Sequence, residues 1–220
     1  TAYITTKKIS SLKSNLSPDI VPNLFNPAQC MRAGKTFIKE NNLHEDKFSL
    51  LILGGKGIGY KYSENEWDEL LENFSVFCTQ SNTKPLFITS PRTPIKVENI
   101  IKSKYDTSFS VLFHSENKRG SFSHLLYVAK NIFVTEDSST MLSEAISSGK
   151  KVACVYPKDI NAPEKYREII RKYEELNFIK RRSISEICDG PYNEMIDISC
   201  EVNQSLIEFN KLLVELLFDQ

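Results

Sequence analysis

The sequence predicts an α/β domain, a Rossmann-like parallel sheet with helices on both faces. Three observations carry that prediction. From Phe48 onward, short apolar runs alternate with amphipathic segments of about 10–15 residues, the rhythm of right-handed βαβ units. The runs are apolar throughout instead of at every second residue, as in strands covered on both faces. The loops that follow them are rich in glycine, hydroxyls and charge, the composition of a ligand site outside the carboxyl ends of strands.

Phe48–Leu53 is the first strand, and Gly54–Tyr62 is the glycine-rich loop after it. Ser63 and Glu66 stand in capping-box spacing. They open a helix whose Trp67, Leu70, Leu71, Phe74, Phe77 and Cys78 recur at helical intervals. Pro85–Thr89 is the second strand, Ser90–Pro94 a loop stiffened by two prolines, and Ile95–Lys104 a helix. Phe109–Phe113 is the third strand and His114–Gly120 a polar loop. Ser121–Lys130 is a helix that turns Leu125, Leu126 and Ala129 inward. Ile132–Thr135, Ser139–Ser148 and Val152–Tyr156 supply a fourth strand, its helix and a fifth strand. A charged helix at Pro163–Leu176 and a long amphipathic closing helix at Cys200–Phe218 complete the domain, which spans residues 48–220.

Residues 1–47 do not share this rhythm. They hold a short strand pattern at Tyr3–Thr5, a Ser/Asn/Pro-rich stretch up to Pro27 and a helix near Ala28–Asn41. Two readings stay open for them: an N-terminal arm packed on the domain, or the remnant of a second, acceptor-side domain. The chain opens on Thr1, which allows it to be part of a longer product.

Hydrophobic residues make up 40% and charged residues 25% of the 220, as in soluble globular chains. Basic and acidic residues number 28 each. No net field therefore draws the chain to nucleic acid, and none is expected as a partner. The five cysteines, Cys30, Cys78, Cys154, Cys188 and Cys200, form no CxxC pair, which suits reduced thiols and a cytoplasmic location. No apolar run approaches the ~20 residues that span a bilayer, and no signal peptide pattern is present; peripheral membrane contact remains open. No metal is expected, because HExxH, paired Cys/His and DxD patterns are absent, and no cofactor is expected.

Three segments point to ligand chemistry. In Gly54–Tyr62, glycines allow close backbone approach and Lys56 can neutralise phosphate, although a simple chain reversal accounts for the glycines too. The spacing is neither a dinucleotide fingerprint nor a P-loop. In Ser90–Pro94, Arg92 offers a planar fork to a diphosphate or carboxylate from a rigid turn. In Glu136–Glu144, the hydroxyls and amides of Ser138, Ser139 and Thr140 at a helix start suit phosphate, and Glu144 one turn later suits a sugar hydroxyl. Helix capping by Asp137 or Ser138 explains the same residues without a ligand. His114 and His124 read more readily as structural than as acid–base groups. Lys150-Lys151 and Lys180-Arg181-Arg182 read as solvated basic runs.

The segments LLILGG at 50–55, FITSPRTP at 87–94 and VTEDSSTMLSEAISSGKKV at 134–152 resemble a bacterial family of glycosyltransferase-like proteins related to the plant mitochondrial fission factor. That family is also labelled nucleoside-diphosphate-sugar epimerase. It is similar in turn to GT-B glycosyltransferases, whose carboxyl-terminal Rossmann-like domain holds a nucleotide-sugar donor. The resemblance implies that Gly54, Gly55, Lys56, Gly57, Ser90, Arg92, Thr93, Asp137, Ser138, Ser139, Thr140, Ser143 and Glu144 form the donor site. Ser138–Thr140 would meet the diphosphate and Glu144 the ribose. It names no catalytic base. The sequence departs from the family pattern at Pro91, where a second basic residue is common, and at Glu136, where a small residue is usual.

The function expected is the donor-binding half of a GT-B-like glycosyltransferase, with metal-independent transfer from a nucleotide-sugar to an unidentified acceptor, a lipid-linked or cell-envelope glycan being one class. The alternatives are a non-catalytic interaction or scaffold protein of the mitochondrial-fission-factor type and a GT-B-type nucleotide-sugar epimerase.

Overall fold

The computed structural model describes residues 18–21, 23, 25–43, 48–105, 111–112, 123–150, 152–188, 199, 202–205, 207–209 and 211. In chain order the elements are α1 (Pro27–Glu40), β1 (Phe48–Leu53), β2 (Tyr60–Lys61), α2 (Glu64–Gln80), β3 (Lys84–Thr89), α3 (Ile95–Lys104) and β4 (Val111–Leu112). There follow α4 (Ser123–Val128), β5 (Ala129–Thr135), α5 (Ser139–Ser147), β6 (Val152–Tyr156), β7 (Asp159–Ile160), α6 (Glu164–Glu175) and β8 (Ile179–Ser183), ending in a 3-10 turn at Ile184–Cys188.

Six strands form one sheet in the order β4-β3-β1-β5-β6-β8, and every pair in it is parallel. Leaving out the small antiparallel pair β2–β7, this is the doubly wound order, and its direction reverses between β1 and β5. β1 lies at the centre and all six of its residues are buried. Its side chains alternate between two cores. Leu50 and Ile52 face a layer holding α1, α4, α5 and α6, while Leu51 and Leu53 face α2, α3 and the 3-10 turn. Each such buried leucine or isoleucine contributes about 1.5–3 kcal/mol. Buried polar groups near the start of β1 are satisfied: Asn131 Nδ2 donates to Ser49 Oγ at 3.0 Å, and Ser49 Oγ lies 2.7 Å from Thr83 Oγ1.

Local signals set the helix limits. The capping box of α2 is present in full, with Glu66 Oε2 accepting from the Ser63 N–H and hydroxyl at 2.9 and 2.8 Å. Although burial works against it, Glu66 is held below the ordinary carboxyl range by the Lys158 and Ser63 N–H groups. α1, α2 and α6 are each followed by an asparagine with positive φ, Asn42, Asn82 and Asn177 at 50°, 53° and 58°, the left-handed ending that asparagine tolerates.

Among the described residues, 48–157 supply the five parallel strands the sequence predicts, and the sheet gains a sixth beyond them. The added strand is β8, which contains Lys180, Arg181 and Arg182, so this basic run is not simply solvated. It pairs with β6 along its whole length, and Arg181 turns inward to a buried carboxylate. The helix predicted over Ser121–Lys130 ends at Val128, and Ala129 and Lys130 belong to β5. The cause is Lys150, also expected to be solvated. Its Nζ donates to the Leu126, Tyr127 and Ala129 carbonyls at 3.0, 2.7 and 2.5 Å and closes the end of α4. The strand pattern at Tyr3–Thr5, His114 and Lys151 lie outside the described residues, as does most of the predicted closing helix, of which 202–205 and 207–209 are helical.

The segment before β1 packs on the first of the two layers. Cys30 Sγ donates to the Ser123 carbonyl at 2.9 Å, joining α1 to α4. The Val21 N–H donates to Tyr173 Oη at 2.9 Å, and Lys172 meets Asp19 at 2.9 Å, joining residues 19–21 to α6.

Candidate functional site

Three loops meet at the carboxyl end of the sheet beside the reversal point. They follow β1, β3 and β5, and one carboxylate ties them together. Asp137 is fully buried. Its Oδ2 accepts from the Gly55 N–H at 3.0 Å and from Arg92 Nε and Nη2 at 3.2 and 3.1 Å. Thr93 makes a second tie. Its hydroxyl lies 2.7 Å from the carbonyls of both Leu53 and Gly54, donating to one at a time, and accepts from the Ser90 N–H at 2.9 Å. The Gly54 N–H donates to Thr135 Oγ1 at 2.7 Å.

Packing requires the two glycines. A Cβ on Gly54 would stand 2.2 Å from Asp137 Oδ1, and one on Gly55 would stand 2.0 Å from the Arg92 carbonyl oxygen. Their N–H groups are committed to Thr135 and Asp137, so at these two positions the amides turn to the protein's own acceptors. Burial pushes the Asp137 carboxyl above the ordinary aspartate range, and the neighbouring Thr135 hydroxyl, the Gly55 N–H and Arg92 pull against that rise. Its Oδ1, packed against Gly54, accepts no hydrogen bond.

Arg92 is bound on one side only. Its side chain is 39% exposed. Of the guanidinium's N–H groups, one on Nε and one on Nη2 reach Asp137, and the others have no acceptor among the described residues. A free edge of the fork therefore faces solvent. Lys56 is exposed and makes no ion pair among the described residues.

α5 starts at this junction. Ser138 is its N-cap and accepts from the Met141 N–H across a long 3.5 Å. The N–H groups of Ser138, Ser139 and Thr140 have no acceptor among the described residues, and the first turn carries no acidic side chain. The positive end of the helix is thus unfilled. Ser143 is fully buried and donates to the Thr140 carbonyl at 3.0 Å. Glu144 falls four residues after Thr140, on the same face of the helix. It is half-buried and has no hydrogen bond or ion pair among the described residues; burial alone raises its carboxyl.

The nominated residues therefore divide. Gly54, Gly55, Ser90, Thr93 and Asp137 hold the loops together from inside, Ser143 is buried within α5, and a side chain at Gly57 would crowd Arg92 Nε and the Asp137 carbonyl. Lys56, Arg92, Ser139, Thr140 and Glu144 reach solvent, with Ser138 between the two groups. His124 packs against Phe37 with the rings tilted and their centroids 4.8 Å apart. Sequence reading missed Arg181, which meets Glu136 at 2.7 Å beneath the same junction. The only signal for it was Glu136 itself, an acidic residue at the end of a buried strand, which needs a cation without saying which one. Among the described residues no group of three His, Cys, Asp or Glu side chains is placed to hold a metal, and no helix is long and apolar enough to cross a membrane.

A doubly wound parallel sheet with an unfilled helix start at its reversal point is a Rossmann-like α/β domain. The sequence model for "Mitochondrial fission ELM1" matches residues 12–206, and the chain belongs to that family. It is similar to the uncharacterized protein RP120 of Rickettsia prowazekii (strain Madrid E), at 34% identity over 125 residues, which cover 54% of this chain and 34% of the relative. Among solved structures it is similar to the E. coli ADP-heptose LPS heptosyltransferase II, at 12% identity and a TM-score of 0.42, covering 84% of this chain and 52% of that one. The matched region thus spans about a third of the curated relative and about half of the solved chain.

Proposed function

We propose that this chain binds the diphosphate of a nucleotide-sugar and serves as the donor-side half of a GT-B-like glycosyltransferase. The observation that carries the reading is the unfilled start of α5, three open N–H groups flanked by the free edge of Arg92 and followed one turn later by the unpaired carboxylate of Glu144. Donors of this kind, preset and aimed at an anion, stabilise charge as it develops on a leaving group. In the proposed reaction the bond between the sugar's anomeric carbon and the diphosphate oxygen breaks. The electron pair stays on the diphosphate, which the α5 start, Arg92 and Lys56 hold. An acceptor hydroxyl oxygen bonds to the anomeric carbon and gives its proton to a base that none of the residues nominated here supplies. Glu144 accepts from ribose hydroxyls and selects a nucleoside diphosphate over a bare one.

A second reading, a non-catalytic interaction module, is favoured by one observation. The Gly54 and Gly55 amides, Thr93 and Asp137 are accounted for by bonds inside the protein, so much of the motif has a role without ligand. Calorimetry with uridine, guanosine, cytidine and adenosine diphosphates separates the two. Binding near millimolar, about 4 kcal/mol, is the result expected of a donor site. No binding by any of the four at several millimolar, to folded protein, would replace the transferase reading with the module.

A further inference from the structure

Two adjacent carboxylates at the end of β5 are both buried and point in opposite directions. Asp137 reaches toward the β1 and β3 loops, as described. Glu136, 1% exposed, reaches toward the other half of the sheet, and each of its hydrogen-bonding groups is engaged. Oε1 accepts from Tyr60 Oη at 2.7 Å and from Arg181 Nη2 at 2.8 Å. Oε2 accepts from Arg181 Nε at 2.7 Å and from Cys154 Sγ at 3.4 Å. The backbone N–H donates to the Val155 carbonyl at 2.8 Å, and the backbone carbonyl accepts from Tyr166 Oη at 2.5 Å. One residue is thereby tied to β2, β6, α6 and β8. Arg181 is held in turn, its guanidinium 4.5 Å from the centre of the Tyr156 ring.

A pair with a buried carboxylate and a partly exposed arginine is weak ground for stability. Replacing a buried ion pair with uncharged residues of similar volume is often neutral or stabilising, whereas breaking one partner is costly. What the pair does supply is a two-pronged geometry that an arginine imposes and a lysine cannot. Residues 136 and 137 are fixed from both halves of the sheet, and the next three residues are the open start of α5. We infer that Arg181 is a positioning residue for the diphosphate site. Acting through Glu136, it aims the Ser138–Thr140 amides, and its own charge does not reach the ligand. This rests on the reading of that site as a diphosphate site.

The test uses inorganic pyrophosphate as the probe, the whole 220-residue chain, and amide NMR titration well below the unfolding temperature of every variant, so that a loss of stability does not register as a loss of binding. The double variant Glu136→Gln with Arg181→Met removes both charges of this pair and leaves neither partner uncompensated. It should stay folded, bind pyrophosphate about tenfold more weakly, and keep the wild-type dependence on salt. Arg92→Ala should weaken binding and also flatten that salt dependence, because its charge does face the ligand. Arg181→Lys, which keeps the charge and loses the fork, should weaken binding as the double variant does, with displaced Ser139 and Thr140 amide resonances in the free protein. Should the double variant fail to fold, Arg181→Lys carries the test alone. Wild-type affinity in either folded variant, or a salt dependence flattened by removing Arg181, would overturn the positioning role. If wild-type protein binds neither pyrophosphate nor any nucleoside diphosphate, the site reading falls first and this inference with it.

Discussion

The loops on the two sides of the sheet's reversal point are built in opposite ways. After β1, Gly54 and Gly55 turn their amides inward, and their missing side chains make room for Asp137 and the Arg92 backbone. After β5, the carboxylates turn inward, and the amides that follow at Ser138, Ser139 and Thr140 are left open. One loop is a socket and the other is the part presented to solvent. A glycine-rich loop at the end of a first strand is thus no sign that its amides meet a ligand; where its nearest acceptors are the protein's own, it organises the neighbouring loop.

The socket is broken most directly at Gly54. We expect Gly54→Ala to have the largest effect, about 3 kcal/mol or more of destabilisation, because the new Cβ would stand 2.2 Å from a buried carboxylate. Chemical denaturation measures it. A loss below about 1 kcal/mol would show that the loops do not interlock as described.

Arg92→Ala comes next, since it tests the side chain shared by both loops. It leaves Asp137 buried with the Gly55 N–H but without its cation. Breaking a buried pair costs about 3–5 kcal/mol, and we expect about 2 here because the arginine is partly exposed and screened. The Asp137 carboxyl, already raised by burial, should rise further. The stability loss should therefore be largest at neutral pH and shrink on acidification, as the carboxyl takes a proton and no longer needs the cation. Thermal unfolding of both proteins across pH 4–8 reads this; a loss that grows toward low pH would contradict the assignment.

How much of this the sequence discloses depends on whether the cause is local. The strands β1, β3 and β6 and the helices α2, α3 and α6 are legible because composition and capping decide them within a few residues, as with Ser63 and Glu66. The convergence of the three loops follows from alternation alone, since parallel strands deliver their following loops to one edge. β8 is not legible. A strand reading Ile-Lys-Arg-Arg-Ser looks solvated until Glu136, 45 residues away, claims one of its arginines. Nor does the sequence show which site residues face inward. Asp137 and Glu144 are both carboxylates in one motif, and only tertiary packing gives the first three donors and the second none among the described residues.

A smaller effect is expected at the open loop. Ser138→Ala removes the N-cap of α5, and about 0.5–1 kcal/mol should be lost, at the low end because the cap bond is long. Ser138→Gly should cost only a few tenths of a kcal/mol, about what a glycine cap sacrifices. Thermal unfolding compares the two. A loss as large as that at Gly54 would mean that the β5 loop is as locked as the β1 loop, and the contrast between them would fail.

Glu144→Gln should have the smallest effect on the free protein, with a sign that depends on ligand. The wild-type carboxyl is raised by burial and no partner opposes the rise. As pH climbs past the ordinary glutamate value, the unfolded chain releases this proton before the folded chain does. Glu144 therefore subtracts stability between that value and its raised folded one, and the deficit stays constant above it. Removing the charge should leave stability unchanged in acid and add about 0.5 kcal/mol at pH 7. With a nucleoside diphosphate bound the sign should reverse. A ribose hydroxyl donating to a carboxylate gains about 1.5–3 kcal/mol, against about 0.5–1.5 for a neutral amide, so affinity should fall by about 1 kcal/mol. Pyrophosphate, which has no hydroxyl to donate, should bind the variant as well as it binds wild type. A variant that gains affinity for pyrophosphate would place Glu144 on the phosphate side of the site, where its charge repels the anion, and not beside the ribose.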